Sequence, residues 1–426
     1  MSARKAATAA VAMIGLVALA GCAGGGGSAD GDVSMTFWHN STTGDGKAYW
    51  ADAVEAFEAE NEGVSIEVQS IQNEDMDGRL QTAVNSGDMP DIFMARGGGK
   101  LAAVVNAGAV KDLSDLISDD VRTDYGDAVF SAFTIDGATY GLPVSVLPGG
   151  IFYSQDLFAD AGVTETPATM DELVDTVGAL ESTGVEPIAL GAMDAWPAAH
   201  WYYFFALREC GQDVMESIAS TLDFSDPCWL AAGEDLAAFA DEDPYNTGFL
   251  TTSAQQGAGS SAGLLANHQA AMELMGGWNV GVIASLTPDE EPLADLGWFP
   301  FPSVEGGDGA PTAMMGGVDG YGCSKDSPSA CEDFLNFIAS PEWQERYAVS
   351  WNAIPASASA QTAVTDPALQ PLIEAYNDAD YVVVWLDTLL GQNIGNALNT
   401  AVVELLSGNG TPESIVETVE TAATRG

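Results

Sequence analysis

Between Val33 and Met94 the chain alternates strand, helix, strand, helix, strand, and that order leaves few folds open. Met35 and Phe37 alternate with Ser34 and Thr36, as in a half-buried strand ending at Trp38. Tyr49, Ala53, Ala56 and Phe57 then recur at helical spacing. Val64-Ser-Ile-Glu-Val68 alternates again, and a second helix is expected over residues 76–86. Gly87 and Pro90 announce a third short strand over residues 91–94. The alternation predicts a doubly wound, mostly parallel α/β sheet, in which ligands sit beyond the carboxyl ends of the strands. That places Trp38-His39-Asn40 and Arg96-Gly97-Gly98-Gly99 at the mouth of a cleft.

At 426 residues the chain exceeds one simple core, so two domains are expected. Residues 137–148 mix Gly, Pro and β-formers, which suits a crossing between lobes. The strand–helix pattern then restarts at Ile151-Phe-Tyr153, with a helix opened by Thr169 and acids in its first turn. A strand over 185–190, a helical middle over 198–268 and a strand over 271–275 ending at Gly276-Gly277-Trp278 follow. Gly-rich residues 306–320 suggest a second crossing, and the last third reads as mostly helical.

Arg4 and Lys5 precede an apolar run over residues 6–20, too short and Ala-rich for a membrane span. The run closes on Leu19-Ala20-Gly21-Cys22, small residues ahead of a thiol that can accept a diacylglycerol. All four positions resemble the bacterial lipoprotein signal. The resemblance implies a signal peptide over 1–22 and lipidation at Cys22; an ordinary secretory signal with a chance cysteine is the alternative. Residues 23–32 are Gly/Ser-rich, as a flexible tether would be. The expected location is the extracytoplasmic face of the cell membrane, held by lipid alone. Four cysteines remain, and an even count outside the cytoplasm favours disulfides. Proximity suggests Cys210 with Cys228 and Cys323 with Cys331, with other pairings open.

Acids number 62 against 12 bases, a net charge of -50, which repels nucleic acid and anionic lipid headgroups. Such a surface serves solubility, or else attracts a cationic ligand.

Several segments, in order, resemble family 1 of the extracellular solute-binding proteins, the maltose-binding-protein-like group. They are Pro90-Asp-Ile-Phe93; Tyr140-Gly-Leu-Pro143 with Tyr153 and Asp171-Glu-Leu173; and Ala270-Ala-Met272 before Gly277-Trp278. Gly316-Gly317, Phe334-Leu-Asn-Phe-Ile338, Ser340-Pro-Glu342, Ile354-Pro355 and Glu404-Leu-Leu-Ser-Gly408 complete the set. The resemblance implies a two-lobed periplasmic-binding-protein-like fold of type II with a hinge between lobes. Residues 33–142 and 311–355 would form one lobe, and 143–310 and 356–426 the other. It also implies a monomeric, non-enzymatic receptor that delivers a sugar to the permease subunits of an ABC importer.

A sugar offers apolar C–H faces and a rim of hydroxyls, so indoles beside Asp, Asn or His mark candidate contacts. Trp38 and Trp278 sit at strand ends, and Asn279 follows the second; Trp278 matches the tryptophan that the resembled sugar binders use for stacking. Trp196, His200 and Trp201 cluster after a strand, Trp385 precedes Asp387, and Trp351 lies near Ile354-Pro355. Arg96 and Asp319 are candidate hydroxyl partners, as is Glu74 in a loop after the second strand. Trp50, Trp229, Trp298 and Trp343 read as packing residues.

Catalytic and metal patterns fail individually. Gly259-Ser-Ser-Ala-Gly263 has the serine-hydrolase spacing, but no carboxylate lies between Ser261 and the following His268. Gly97-Gly-Gly-Lys100 lacks the first glycine and the Ser/Thr of a phosphate loop. The calcium-like run from Asn73 has Val84 where a bidentate Glu belongs. No metal or cofactor is expected. The reading is therefore a receptor for a neutral di- or oligosaccharide. Its rivals are the same scaffold binding a cation such as a polyamine, a sugar sensor, and a secreted glycoside hydrolase.

Overall fold

The computed structural model describes residues 32–42 and 44–425; the expected signal peptide, Cys22 and all of the tether but Asp32 lie outside them. The chain opens with β1 (Val33–His39), α1 (Gly44–Glu60), β2 (Val64–Ser70), α2 (Asn73–Ser86), β3 (Ile92–Arg96) and α3 (Gly99–Asn106). It continues through β4 (Leu142–Val146), β5 (Gly149–Ser154), α4 (Gln155–Asp160), α5 (Met170–Glu181) and β6 (Glu186–Ile188). The helical middle comprises α6 (Trp196–Glu209), α7 (Gln212–Thr221), α8 (Pro227–Ala240) and α9 (Ser261–Ala266). Next come β7 (Ala270–Gly276), α10 (Asn279–Leu286), β8 (Leu296–Phe299), β9 (Met314–Gly316) and β10 (Val318–Cys323). The last stretch holds α11 (Ala330–Ile338), α12 (Pro341–Trp351), α13 (Leu369–Asn377), β11 (Val382–Val384), α14 (Leu386–Leu389), α15 (Gln392–Leu406) and α16 (Pro412–Arg425).

Local chemistry sets several of these boundaries. Thr169 and Glu172 close a full capping box that starts α5, satisfying amide hydrogens the helix leaves free. Ser154 caps α4 by accepting the Leu157 N–H. Cys210 is bonded to Cys228, and Cys323 to Cys331, the pairings suggested by proximity.

Two lobes result. The first sheet runs β2-β1-β3-β10-β4, the second β8-β5-β7-β6, and β9 pairs with β11 apart from both. The sheets are mixed, not mostly parallel as the alternation predicted. In the first, β1 is parallel to β2 and β3, but β10 is antiparallel to β3 and β4. In the second, only β6 and β7 run parallel. The cause is the connectivity: β4 runs straight into the hinge, and β5 and β10 straight out of it, without the crossover helix that makes neighbouring strands parallel.

Three chain segments cross side by side. Leu147 and Gly317 exchange backbone hydrogen bonds of 2.8 and 3.3 Å. Val146 N–H donates to Ile354 O (3.1 Å), and Ala356 N–H to Val144 O (2.8 Å). Gly317 is thus the second crossing, a little beyond residue 311, because Met314–Gly316 pair with Val382–Val384. The third also comes later than residue 355, since Ser359 N–H still donates to Asp124 on the first lobe (3.1 Å). Val146, Ile354, Val280, Ile283, Leu369 and Leu372 form an apolar cluster that spans the hinge. Among the described residues no helix is long and apolar enough to cross a membrane.

Candidate functional site

In the first lobe, strand alternation turns Met35, Phe37 and His39 inward and leaves Trp38 and Asn40 half-buried. His39 is therefore a core residue and not a cleft contact, against expectation. Its Nδ1 accepts the Ser41 N–H at 3.1 Å, and its ring lies 5.8 Å from that of Trp50. Burial, helped by Lys47, lowers its pKa to about 4 and keeps the ring neutral.

A chain of polar contacts runs from Asn40 toward the other lobe. Asn40 Nδ2 donates to Asn73 Oδ1 (3.2 Å), which also accepts from Arg96 (2.7 Å). Arg96 Nε donates to Asp77 Oδ1 at 3.1 Å. Lys100 Nζ reaches Asp77 Oδ2 (2.9 Å) and, across the lobes, Asp387 Oδ2 (3.4 Å). Burial alone would raise Asp77, but Arg96 and Lys100 outweigh it and hold the carboxyl down to about 2. Asp387 is likewise lowered: burial opposes, and Lys100, His200 and Arg96 prevail. Asp319 pairs in register with Arg96 between β10 and β3. Its pKa is raised, because burial there exceeds the help from Arg96. Glu74 lies in the first turn of α2, not in a loop, where an acid suits the helix N-terminus. It accepts a hydrogen bond from Gln256 of the second lobe at 3.2 Å.

The second lobe presents aromatics. On α6, Trp196 and His200 are four apart and share a face, while Trp201 points elsewhere. His200 stacks on Trp385 at 4.1 Å between ring centroids. Trp278 lies 6.2 Å from Trp196, 6.4 Å from His200 and 5.9 Å from Trp385. Glycines make room for the indoles: a Cβ at Gly276 would collide with Trp278, and one at Gly149 with Trp385. Trp196 Nε1, Trp385 Nε1 and His200 Nδ1 are buried without a hydrogen-bond partner among the described residues. Burial lowers His200 to about 4, so the ring is neutral near pH 7.

Two further expectations need correction. Trp201 is fully buried against Phe239, Tyr245 and Phe301 in the second-lobe core, because helical geometry turns it well away from Trp196. Asn279 is also fully buried and points into the sheet, donating to Glu273 Oε2 at 2.6 Å. Trp351 stays half-buried, stacked on Tyr347 at 5.3 Å, with its carbonyl close under Gly281 of α10. The Ser261 hydroxyl donates to Ala254 O (3.0 Å) from the first turn of α9, so no nucleophile elbow exists there.

Sequence reasoning missed Asn73, Asp77, Lys100 and Gln256. A signal existed for two of them: Asn73 and Asp77 are four apart, so α2 presents both on one side, where Arg96 meets them.

Residues 40–345 match the family model for bacterial extracellular solute-binding proteins. The chain belongs to that family. This solute-binding protein is 27% identical over 217 residues to a binding protein of Brucella abortus (strain 2308), spanning 50% of this chain but only 52% of that relative. It is 32% identical over 161 residues to the diacetylchitobiose binding protein DasA of Streptomyces coelicolor, 37% of this chain and 35% of that one. The multiple sugar-binding protein of Streptococcus mutans is 22% identical over 348 residues, 78% of this chain and 77% of that protein. Among solved structures, a chitin oligosaccharide binding protein superposes with a TM-score of 0.81 at 26% identity, covering 92% of this chain and 98% of the other. A protein from a study of xylan utilisation by Caldanaerobius polysaccharolyticus gives 0.84 at 23% identity, covering 91% and 99%. The type II two-lobed fold is thereby established, and the family is that of the bacterial extracellular solute-binding proteins.

Proposed function

We propose that this receptor closes on a neutral di- or oligosaccharide and delivers it to the permease subunits of an ABC importer. The observation that carries the reading is the aromatic wall of Trp196, His200, Trp278 and Trp385 set against the Asn73–Arg96–Asp77–Lys100 network. Indole faces suit the C–H faces of a sugar ring, and the unpartnered N–H groups suit its hydroxyls. Trp278, Trp385, Trp196, Arg96, Asp319, Asp387 and Glu74 are the contact candidates; Trp38, Asn40 and Trp351 would extend the site. The chitin- and sugar-binding relatives agree with an oligosaccharide ligand. The ligand is bound and released unaltered, the protein acts as a monomer, and lipid on Cys22 tethers it to the membrane.

A thermal-shift screen of chito-, xylo-, cello- and malto-oligosaccharides, followed by calorimetry of the best hit, tests the reading. A ligand that binds only the folded state must raise Tm by mass action. A panel that leaves Tm unmoved sinks the proposal, as does release of shorter sugars on incubation. One observation favours a second reading. Asp77, Asp319 and Asp387 outnumber Arg96 and Lys100 in the network, which suits a cation such as a polyamine. Spermidine in the same screen separates the two.

A further inference from the structure

Asp156, His268 and Asp295 come from three separate segments and converge on one spot of the second lobe. Asp156 lies in the first turn of α4, His268 in the turn between α9 and β7, and Asp295 just ahead of β8. Their ligand atoms all lie within 4.8 Å of one another. We propose that these three side chains bind a divalent transition-metal ion.

The geometry carries the assignment. His268 Nε2 stands 3.0 Å from each Asp295 oxygen. Two donors each about 2.1 Å from a shared ion, at roughly 90–110°, lie about 3.0–3.4 Å apart. An ion can therefore replace the proton between them with little rearrangement, and a rotamer adjustment of Asp156 supplies the third ligand. Asp295 is held in place by its surroundings: Oδ2 accepts the Ser154 hydroxyl and the Asp156 N–H (3.3 Å), and its carbonyl accepts the Gln155 N–H (2.9 Å). Such outer contacts fix a ligating carboxylate before the metal arrives. The turn carrying His268 is pinned as well, since Asn267 Nδ2 donates to Gly263 O (2.8 Å) and Leu286 O (3.2 Å). His268 remains 38% exposed, so an ion can enter from solvent.

One imidazole nitrogen with two carboxylates selects Zn²⁺, Mn²⁺, Co²⁺ or Ni²⁺ over Mg²⁺ and Ca²⁺, which prefer oxygen. The location separates this site from the cleft. Gly149 pairs with Gly276 at the Trp278 end of the sheet, whereas Ser154 and Ala270 lie at the other end. Roughly five residues of strand, about 16 Å, lie between. The ion would clip α4, the α9–β7 turn and the start of β8 together.

The test uses protein stripped with chelator and then freed of it. Calorimetric titration with Zn²⁺ should give one saturable site per chain, and Co²⁺ should develop a visible absorption band. His268→Ala and Asp156→Asn should each weaken Zn²⁺ at least about tenfold and abolish the Co²⁺ band. Asp156→Asn leaves the Ser154–Asp295 framework intact, so it reports even if His268→Ala disturbs folding. Zn²⁺ affinity unchanged in both variants would mean diffuse attraction to the acidic surface and would overturn the site, as would the absence of any saturable binding.

Discussion

The two walls of the cleft are built on opposite terms. On the first lobe, Asn40, Asn73, Arg96, Asp77 and Lys100 are bonded to one another before any ligand arrives. On the second, Trp196, His200 and Trp385 each keep a buried nitrogen without a partner among the described residues. A satisfied network acts as a rigid plate that fixes where charges lie. Unpartnered donors remain free for a hydrogen bond that only a ligand supplies. The contrast teaches that integrity of the fold should respond most to the first wall, and affinity to the second.

The largest expected effect breaks the plate. Arg96→Ala leaves half-buried Asp77 with one of its two cations gone, and denaturant unfolding should show a loss of about 3 kcal/mol. A loss below about 1 kcal/mol would mean that Lys100 and water suffice.

Next comes pH, where two carboxyls differ in sign. Buried Glu273 in the second lobe is raised from 4.5 to about 7, chiefly by desolvation. Because that folded pKa lies above the unfolded one, its contribution is complete below about pH 4.5 and is lost as pH climbs through 7, in total about 3 kcal/mol. Asp77 in the first lobe, lowered from 3.8 to about 2, does the reverse. Its contribution is complete above 3.8 and is lost as pH falls toward 2. Melting curves from pH 3 to 9 should fall at both ends, and Glu273→Gln should flatten the upper limb alone.

Trp278→Ala and Trp385→Ala should then each cost about 2 kcal/mol of sugar affinity, ~30-fold by calorimetry. Equal losses from Asn40→Ala would erase the contrast between the walls. The smallest effect belongs to Trp201→Phe. It should cost about 1 kcal/mol of stability and move affinity less than ~2-fold, since that ring is sealed in the core.

Local signals made much of the fold legible. Residue alternation found β1 and β2, Thr169 announced α5, and short spacing suggested both disulfides. Strand direction was not legible, because it depends on where the hinge returns the chain. The candidate site was legible in part. Trp196, Trp278 and Trp385 are brought together, with Arg96, Asp319 and Asp387 in one charged network. His39 and Trp201 were misread because proximity in sequence was allowed to outrank periodicity. His39 continues the inward series Met35, Phe37, and Trp201 stands five positions from Trp196, off its helical face. Lys100 joins Asp387 over 287 positions, a pairing that no local pattern could announce.

Gly99 meets the Leu389 carbonyl and the Gly391 amide so closely that a single added carbon would strike both. Backbone rests on backbone where the two lobes meet, so bare main chain sets how closely they approach there. A side chain at position 99, as in Gly99→Ala, would hold the two lobes apart at that point.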